Sequence, residues 1–268
     1  MNRIICLRAC NPNIVLKSSS VVKRNYCSIV LAEKYMKSYL VLIPAFNESR
    51  HIGNVLEDVR RALPAADVLV INDGSIDQTS DIARNAGVMV LDIPYNIGYG
   101  GALQTGFRFA AEYHYDYVIT MDGDAQHDPA SATNLIRGMD RSGADVIIGS
   151  RFLESNYRMP FARRIGVWLF SRIAHLYTGV QFTDPTSGFQ LLNRKVFLYL
   201  SEGNNYPLDY PDVNIIMAMH KMRFTVIESP VTMREKRGGK SMHSGYRPFI
   251  YVIRMFLSIL MILIRKEE

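Results

Sequence analysis

The chain has 268 residues, of which 48% are hydrophobic and 21% are charged, and its formal net charge is +6. This composition supports a buried core in one large or two small domains and excludes a globally disordered protein. The positive charge favours phosphate groups or an anionic membrane surface, whereas the scattered Lys and Arg residues form no DNA-reading pattern, so we expect no nucleic-acid partner.

The first 35 residues differ from the rest of the chain. They contain all three cysteines, Cys6, Cys10 and Cys27, a serine cluster at 18–20 and no clear hydrophobic periodicity. Cysteines confined to one end exclude a disulfide framework, and their spacing without a nearby histidine is poor for zinc. We expect residues 1–35 to be a disordered or artefactual extension, with a targeting role as the alternative.

Strands and helices are predicted to alternate between residues 39 and 149. Helices are expected at 49–62, 77–86, 99–113 and 129–142, and Ser75 with Gln78 has the spacing of a capping box for the second helix. The apolar runs between the helices predict strands buried on both faces: YLVLI, DVLVI, VMVLD, DYVITM and ADVIIGS. The alternation predicts an α/β fold with a doubly wound, mostly parallel sheet, whose polar loops after the strands open onto one ligand-binding rim.

The second half of the chain has a different pattern. A basic amphipathic helix is predicted at 160–179, a loop at 182–194 that leads into a short strand, and a helix at 210–222. Two short strands are expected in RFTVIES and VTMREK.

The segment 246–268 is strongly apolar but is interrupted by Arg254. Its longest uncharged run, 255–264, is too short to span a bilayer, so an interfacial, membrane-associating helix is predicted. The alternatives are an ordinary core helix or an interface in a homo-oligomer.

Two carboxylates stand one residue apart after the fourth predicted strand. Asp122 and Asp124 can reach one divalent ion because alternate strand residues point to the same side, and Gly123 allows a ligand to approach closely. With a carbonyl oxygen from Gln126 they would suit Mg²⁺ or Mn²⁺. An Asp-Gly turn is the alternative, whereas a calcium loop is disfavoured because its sixth and twelfth positions lack Gly and Glu.

The ends of the second and third strands carry further candidates. Asp73 could accept hydrogen bonds from a base or ribose, with a turn or helix cap as the alternative. Gly98, Gly100 and Gly101 do not complete a Gly-x-Gly-x-x-Gly motif and follow the third strand, which disfavours a dinucleotide fold.

Five motifs together resemble those of the family 2 glycosyltransferases with the GT-A fold, in the branch of dolichyl-phosphate mannose synthase and related polyprenyl-phosphate or polysaccharide glycosyltransferases. The resemblance covers about residues 38–264, and the motifs are VLIPAFNE, VINDGSIDQTSDIA, NIGYGGAL, MDGDAQHDP and DPTSGFQLLNR. It implies a GT-A domain over 36–245 and an inverting transfer that needs Mg²⁺ or Mn²⁺. The donor would be a nucleotide-diphosphate sugar, and the acceptor a polyprenyl phosphate or lipid-linked glycan in cell-surface polysaccharide or glycolipid synthesis, at the cytoplasmic face of the membrane.

The resemblance also implies residue roles, which fall into three groups. The nucleotide-sugar site would comprise Pro44, Ala45, Asn47, Glu48, Asp73, Asn96, Gly98, Asp122, Asp124 and Gln126, of which the last three would hold the metal. A basic loop over the diphosphate would contribute Arg234, Arg237, Lys240 and Ser241. The acceptor side would comprise Ser187 and Gly188; independently of the resemblance, Arg163 and Arg164 on the basic amphipathic segment could receive a lipid phosphate.

Asp212 and Asp124 are the predicted catalytic residues. A hydroxyl acceptor needs a base, and Asp212 lies where the family often carries its catalytic acidic residue, with helix N-capping as the alternative and Asp209 in reserve. A lipid phosphate is already ionised, and Asp212 would then orient it. The chain lacks the Glu-Asp pair and Gln-x-x-Arg-Trp motif of processive synthases.

Two other classes of protein were weighed. A sugar nucleotidyltransferase would carry a Gly-rich basic loop directly after the first strand, where this chain has PAFNES. A non-catalytic nucleotide-sugar or lipid-binding protein would keep its function after an Asp124→Ala substitution.

Overall fold

A computed structural model describes residues 37–153, 161–207, 211–234 and 247–264. The strands are β1 (Tyr39–Ala45), β2 (Asp67–Asp73), β3 (Met89–Ile93), β4 (Tyr117–Thr120), β5 (Val146–Ser150), β6 (Gln190–Asn193) and β7 (Val226–Pro230). The helices are α1 (Ile52–Ala62), α2 (Thr79–Asn85), α3 (Tyr99–Glu112), α4 (Ala132–Ser142), α5 (Phe161–Thr178), α6 (Arg194–Ser201), α7 (Val213–Lys221) and α8 (Arg247–Ile264). A short 3₁₀ turn at Pro129–Ser131 precedes α4.

The strands form one sheet in the order β3-β2-β1-β4-β6-β5-β7. All pairings are parallel except those of β6, which runs antiparallel to both β4 and β5. The strand order reverses between β1 and β4, and a crevice at such a switch point is the usual ligand site of a doubly wound sheet. The predicted fold class is confirmed.

Helices cover both faces of the sheet, because alternate residues of the central strands point to opposite sides. Leu40 and Leu42 pack in a core with α3, α5, α6, α7 and α8, whereas Val41 and Ile43 pack in a second core with α1, α2 and α4. β1 is buried at every position but its first, which fits a central parallel strand covered on both faces.

The reversed strand β6 also determines where its preceding loop lies. Because β6 is antiparallel to β4, with Thr120 opposite Gln190, the start of β6 lies at the carboxyl end of β4. The loop at 183–189 therefore reaches the same edge of the sheet as the loops after β1, β2, β3 and β4.

Two local expectations were wrong. The capping box for α2 does not form: the helix begins after Gln78, and Ser75 Oγ instead accepts a hydrogen bond from the Asn47 amide. In VTMREK, the described residues 231–234 form no strand and contribute one isolated antiparallel bridge, between His127 and Met233. Residues 235 and 236 lie outside the described part.

The C-terminal segment contains a helix, α8, that packs on α7. Met255 and Ile259 are buried in the core, Asn214 Nδ2 on α7 donates to Ser258 Oγ at 2.8 Å, and Lys221 Nζ donates to the carbonyl oxygen of Ile262 at 3.2 Å. Over the parts of the chain that are described, no helix has both the length and the apolarity needed to cross a membrane. The predicted extension at 1–35 lies outside these parts, and residues from Ser38 onward form one compact unit.

Candidate active site

The loops after β1 and β2 are joined by hydrogen bonds at the rim. The Asn47 amide donates to Ser75 Oγ at 2.9 Å, and Asn47 Oδ1 accepts from the amide of Ile76 at 3.0 Å. The Glu48 amide donates to Thr79 Oγ1 at 2.8 Å. Asn47 has a φ of 56°, a left-handed conformation that Asn adopts more readily than most residues. These hydrogen bonds thus hold the predicted residues Asn47 and Glu48 against the start of α2 and the loop before it.

Asp73 holds the loop between β3 and α3. Its two carboxylate oxygens accept hydrogen bonds from the amides of Ile97 and Gly98, at 2.8 and 3.0 Å, and its side chain is buried. Gly98 has a φ of 87° and precedes α3, whereas Asn96 is exposed on the same loop. The structure therefore gives Asp73 a structural task, and its predicted contact with a base stays a prediction.

Asp122 lies two residues after the end of β4 and is held by two aromatic side chains. The Tyr99 hydroxyl donates to Asp122 Oδ1 at 3.0 Å. The Asp122 amide donates to His127 Nδ1 at 3.1 Å, so the proton of a neutral His127 ring is on Nε2, which lies 3.7 Å from Asp122 Oδ2. His127 is buried and stacks on Phe189 with ring centroids 5.0 Å apart. The backbone and the carboxylate of Asp122 are both fixed.

Asp124 and Gln126 form a tight turn two residues further on. The Gln126 amide donates to Asp124 Oδ1 at 3.1 Å, and Gln126 Nε2 donates to Asp124 Oδ2 at 2.7 Å. Ala125 between them has a left-handed φ of 65°. The turn alternative is therefore correct as a description of the backbone, and this turn brings the Gln126 amide group to the Asp124 carboxylate.

The first strand lies directly beside this turn. A Cβ atom added to Gly123 would lie 3.4 Å from the carbonyl oxygen of Pro44 and 3.6 Å from Ala45 Cβ. Pro44 and Ala45 are buried at the end of β1. The structure thus brings the predicted β1 residues next to the Asp122–Asp124 pair, at the switch point of the sheet.

The donor atoms at this turn suit a hard divalent cation. They are carboxylate oxygens of Asp122 and Asp124 and an amide oxygen of Gln126, which is the ligand chemistry that Mg²⁺ and Mn²⁺ prefer. In the part of the chain that the structure describes, no group of three or more His, Cys, Asp or Glu side chains could hold a metal by itself. A cation here would need further oxygens from a ligand such as a diphosphate.

The predicted acceptor residue Gly188 lies against Asp122, and Ser187 precedes it in the same loop. The carbonyl oxygen of Gly188 accepts a hydrogen bond from Thr120 Oγ1 at 2.7 Å. A Cβ atom at Gly188 would lie 2.7 Å from the Tyr99 hydroxyl and 3.3 Å from Asp122 Oδ1. Ser187 is buried, and its amide donates to the carbonyl oxygen of Asp184.

A buried ion pair holds that loop. Arg151 Nε and Nη2 donate to the two oxygens of Asp184 at 2.6 and 2.7 Å, and both side chains are buried. The Glu228 carboxylate accepts from the amides of Thr183 and Asp184. Burial, with the neighbouring Asp184 charge, raises the pKa of Glu228 although these hydrogen bonds act in the opposite direction.

Asp212 lies at the start of α7 but does not cap it with its side chain. Asn214 Oδ1 accepts from the amides of Asp212 and Ile215 instead, at 2.8 and 2.9 Å. Burial first, and then the charges of Asp212 and Asp122, raise the pKa of the Tyr206 phenol. Both carboxylates therefore act electrostatically on the same buried tyrosine.

The basic candidates are only partly described. Arg234 Nη1 and Nη2 contact Asp58 on α1 and Asp128, and these carboxylates raise the pKa of its guanidinium. The predicted residues Arg237, Lys240 and Ser241 lie outside the described residues. Arg164 is exposed on α5, and the Arg163 side chain belongs to the part of α5 that is not described. Their predicted roles stay predictions.

Sequence reasoning missed Tyr99, His127 and Tyr206. One signal was available for His127, because it follows the carboxylate pair within the same turn. Tyr99 contacts Asp122 from the start of α3, and its position along the chain gives no indication of that contact.

Comparisons with known proteins agree with this geometry. A model of the family described as Glycosyl transferase family 2 matches residues 40–200. An undecaprenyl-phosphate mannosyltransferase from Micrococcus luteus is 30% identical over 217 residues, which are 77% of this chain and 87% of that protein. A polyprenol monophosphomannose synthase from Mycolicibacterium smegmatis is 29% identical over 224 residues, 77% of this chain and 81% of the relative.

One further relative and one solved structure complete the comparison. An uncharacterized protein from Methanocaldococcus jannaschii is 38% identical over 152 residues, but this match spans only 56% of the chain and 62% of that protein. Glucosyl-3-phosphoglycerate synthase from Mycobacterium tuberculosis, crystallised with Mn²⁺, uridine-diphosphate-glucose and phosphoglyceric acid, superposes with a TM-score of 0.67 at 17% identity. The superposition covers 88% of this chain and 83% of the synthase, and it confirms the GT-A fold. The chain belongs to glycosyl transferase family 2 and is a glycosyltransferase.

Proposed function

We propose that the protein transfers a glycosyl unit, with inversion, from a nucleotide-diphosphate sugar to a polyprenyl phosphate. Two relatives with similar coverage carry names that specify undecaprenyl phosphate or polyprenol as the acceptor. A lipid-linked glycan acceptor, in cell-surface polysaccharide or glycolipid synthesis, is the second candidate. The observation that carries the proposal is the placement of Asp122 and Asp124 around Gly123, beside the end of β1.

Asp122, Asp124 and Gln126 would hold Mg²⁺ or Mn²⁺ together with the diphosphate of the donor. Such a cation offsets the negative charge that grows on the leaving nucleoside diphosphate. The acceptor oxygen forms the new bond to the anomeric carbon while the bond from that carbon to the diphosphate oxygen breaks. The loop at Ser187 and Gly188 would position the acceptor next to Asp122.

Asp212 has a role that depends on the acceptor. A phosphate oxygen is already ionised and needs no base, so with a polyprenyl phosphate Asp212 would orient the reacting groups. With a hydroxyl acceptor Asp212 would take the proton. Asp212→Asn would therefore abolish transfer to a hydroxyl but leave partial transfer to a phosphate.

We further propose that the protein attaches peripherally to the cytoplasmic face of a membrane. Support comes from the outer face of α8, where Phe256, Leu257, Leu260, Met261 and Ile264 are exposed. On α5, Trp168 and Leu176 are also exposed. Contiguous exposed apolar surface on a helix is typical of interfacial membrane binding.

The proposal is tested with the purified full chain, a panel of nucleotide sugars and a polyprenyl phosphate in detergent micelles. One donor class should raise the melting temperature only with Mn²⁺ or Mg²⁺, because a ligand stabilises the state that it binds. The same donor should label the lipid. Asp124→Asn should lose both effects, with at least about a 100-fold fall in transfer.

Asp116→Asn is the matched control, because Asp116 precedes the same strand at its opposite end and accepts hydrogen bonds from Ser38. It should keep both the thermal shift and the transfer. A wild-type protein that responds to no nucleotide sugar with either metal would refute the proposed function.

A further inference from the structure

Three loops of the site meet at the hydroxyl of Tyr99. Tyr99 is the first residue of α3, Asp122 follows β4, and Gly188 precedes β6. The Tyr99 hydroxyl donates to Asp122 Oδ1 at 3.0 Å. A Cβ atom at position 188 would lie 2.7 Å from that hydroxyl, closer than real Cβ contacts, so the approach requires glycine there. The contact therefore depends on residues from all three loops.

The backbone at Tyr99 is fixed from the other side of the cleft. Asp73 accepts hydrogen bonds from the amides of Ile97 and Gly98, the two residues before Tyr99. Gly98 has φ 87° and ψ 162°, a conformation that is essentially restricted to glycine. Its carbonyl oxygen accepts the first hydrogen bond of α3, from Ala102. Asp73 thus sets the point from which the Tyr99 side chain reaches Asp122.

The phenol is suited to act only as a donor to this carboxylate. The hydroxyl is the donor in the 3.0 Å contact, because an ionised carboxylate can only accept. A hydrogen bond to a charged acceptor is stronger than one between neutral groups, and it restricts rotation of the carboxylate. On the other side of the carboxylate, His127 Nε2 lies 3.7 Å from Oδ2.

We propose that Tyr99 is a positioning residue that orients the Asp122 carboxylate for a divalent cation and links this orientation to the Asp73 loop and to Gly188. The inference rests on the proposed function in one respect, because it takes Asp122 to be a cation ligand. It adds Tyr99, which contacts the metal ligand Asp122. It also adds a path of hydrogen bonds from Asp73, the predicted contact of the nucleobase, to the metal site.

The first test measures metal affinity directly. Mn²⁺ is titrated into Tyr99→Phe and wild-type protein, with and without UDP or GDP, and free Mn²⁺ is followed by electron paramagnetic resonance. Removing an outer-sphere partner of a metal ligand typically weakens binding by about 10- to 100-fold, and we expect a loss in this range. In transfer assays the Mn²⁺ concentration for half-maximal rate should rise by the same factor, and saturating Mn²⁺ should restore most of kcat.

Tyr115→Phe is the matched control, because the Tyr115 hydroxyl donates to Asp67 Oδ2 at 2.8 Å, at the start of β2 rather than at its carboxyl end. It removes the same kind of hydrogen bond and should leave Mn²⁺ binding unchanged. If Tyr99→Phe binds Mn²⁺ as wild type does, the inference is wrong, although the proposed function stands. If wild type binds no Mn²⁺ even with a nucleotide, the metal site itself fails.

The second test uses the close approach at position 188. Gly188→Ala should weaken Mn²⁺ binding because its methyl group displaces the Tyr99 hydroxyl. Tyr99→Phe/Gly188→Ala should be no worse than Gly188→Ala alone, since the displaced atom is already absent. Gly166→Ala on α5, where an added Cβ meets nothing within 4 Å, should behave as wild type. Independent, multiplying effects of the two substitutions would overturn the inference.

Discussion

Single buried charges, rather than the apolar core, fix the loops of this site. Asp73 holds the loop before α3, and Asp184 with Arg151 holds the loop before β6. Each carboxylate is almost fully buried and uses both of its oxygens. A buried charge that loses its partner is costly, so each of these contacts selects one loop conformation.

Asp184→Asn should lower the free energy of unfolding by about 3–5 kcal/mol, because the substitution leaves Arg151 buried beside a neutral group. Urea unfolding of the two proteins, compared at equal m-values, measures this loss. Glu57→Gln is the control: Glu57 pairs with Arg61 at 2.8 Å on the surface of α1, and its loss should cost less than about 1 kcal/mol. A loss below about 1 kcal/mol for Asp184→Asn would show that the buried pair does not stabilise the fold.

Whole elements were predictable wherever hydrophobic periodicity was long. The predicted helix at 99–113 is observed as α3, Tyr99–Glu112, and the run DVLVI is the core of β2. Local chemistry was less reliable, because tertiary partners compete for the same groups. Ser75 had the spacing of a helix cap, but its hydroxyl accepts a hydrogen bond from Asn47, 28 residues earlier. No pattern within one segment could have indicated that pairing.

The candidate site shows the same contrast between patterns within one segment and contacts between distant segments. Asp122, Asp124 and Gln126 lie in one turn; their spacing left a cation site and an Asp-Gly turn as alternatives, and the resemblance to the family favoured the cation site. The contact of Tyr99 with Asp122 is apparent only in the structure, because no pattern in the sequence around Tyr99 indicates that Asp122 is its neighbour. A short strand was predicted from the 182–194 loop, but the antiparallel direction of β6, which brings Gly188 to the rim, was not.

The edge strand β3 illustrates how an element is secured by charge. Asp92 on β3 accepts hydrogen bonds from Asn72 on β2 and from Ser80 and Arg84 on α2. Burial alone would raise the pKa of Asp92, but these hydrogen bonds and the Arg84 charge lower it overall. These hydrogen bonds attach the edge strand β3 to β2 and to α2.

The stabilisation from Asp92 should depend on pH in a defined direction. A carboxylate with a lowered pKa in the folded state stabilises the fold above its unfolded value of 3.8, and this contribution disappears as pH falls through the folded value. The difference in unfolding free energy between wild type and Asp92→Asn should therefore be constant at neutral pH and shrink below about pH 4. Denaturant unfolding at a series of pH values measures it. A difference that stays constant down to about pH 2 would contradict the assignment.

At the scale of the whole molecule, α8 connects the proposed membrane face with the catalytic rim. One side of the helix enters the core through Met255 and Ile259, and the other side exposes Leu260 and Met261. Ser258 on the helix accepts a hydrogen bond from Asn214, whose Oδ1 also fixes the amide of Asp212. Two hydrogen bonds, one between Asn214 and Ser258 and one between Asp212 and Asn214, thus connect the helix that is proposed to bind the membrane with the predicted catalytic base Asp212.

Leu260→Gln combined with Met261→Gln should weaken binding to anionic lipid vesicles by at least about 10-fold, because each buried apolar side chain contributes about 1.5–3 kcal/mol. Co-sedimentation with vesicles measures the partition, and circular dichroism verifies that the fold persists. Tyr113→Gln replaces an exposed aromatic residue at the end of α3 and should bind vesicles as wild type does. Equal partition of the double variant and wild type would exclude α8 as the membrane contact.

The reversal of β6 sets an order in which the protein can be built on the ribosome. β5 and β7 reach the first four strands only through β6, which pairs with β4 on one side and β5 on the other. Before residues 190–193 are synthesised, β1 to β4 can pair with one another, but β5 lacks β6, the strand through which it joins them. The carboxylate pair after β4 is therefore synthesised long before β6, the strand that brings Gly188 beside Asp122.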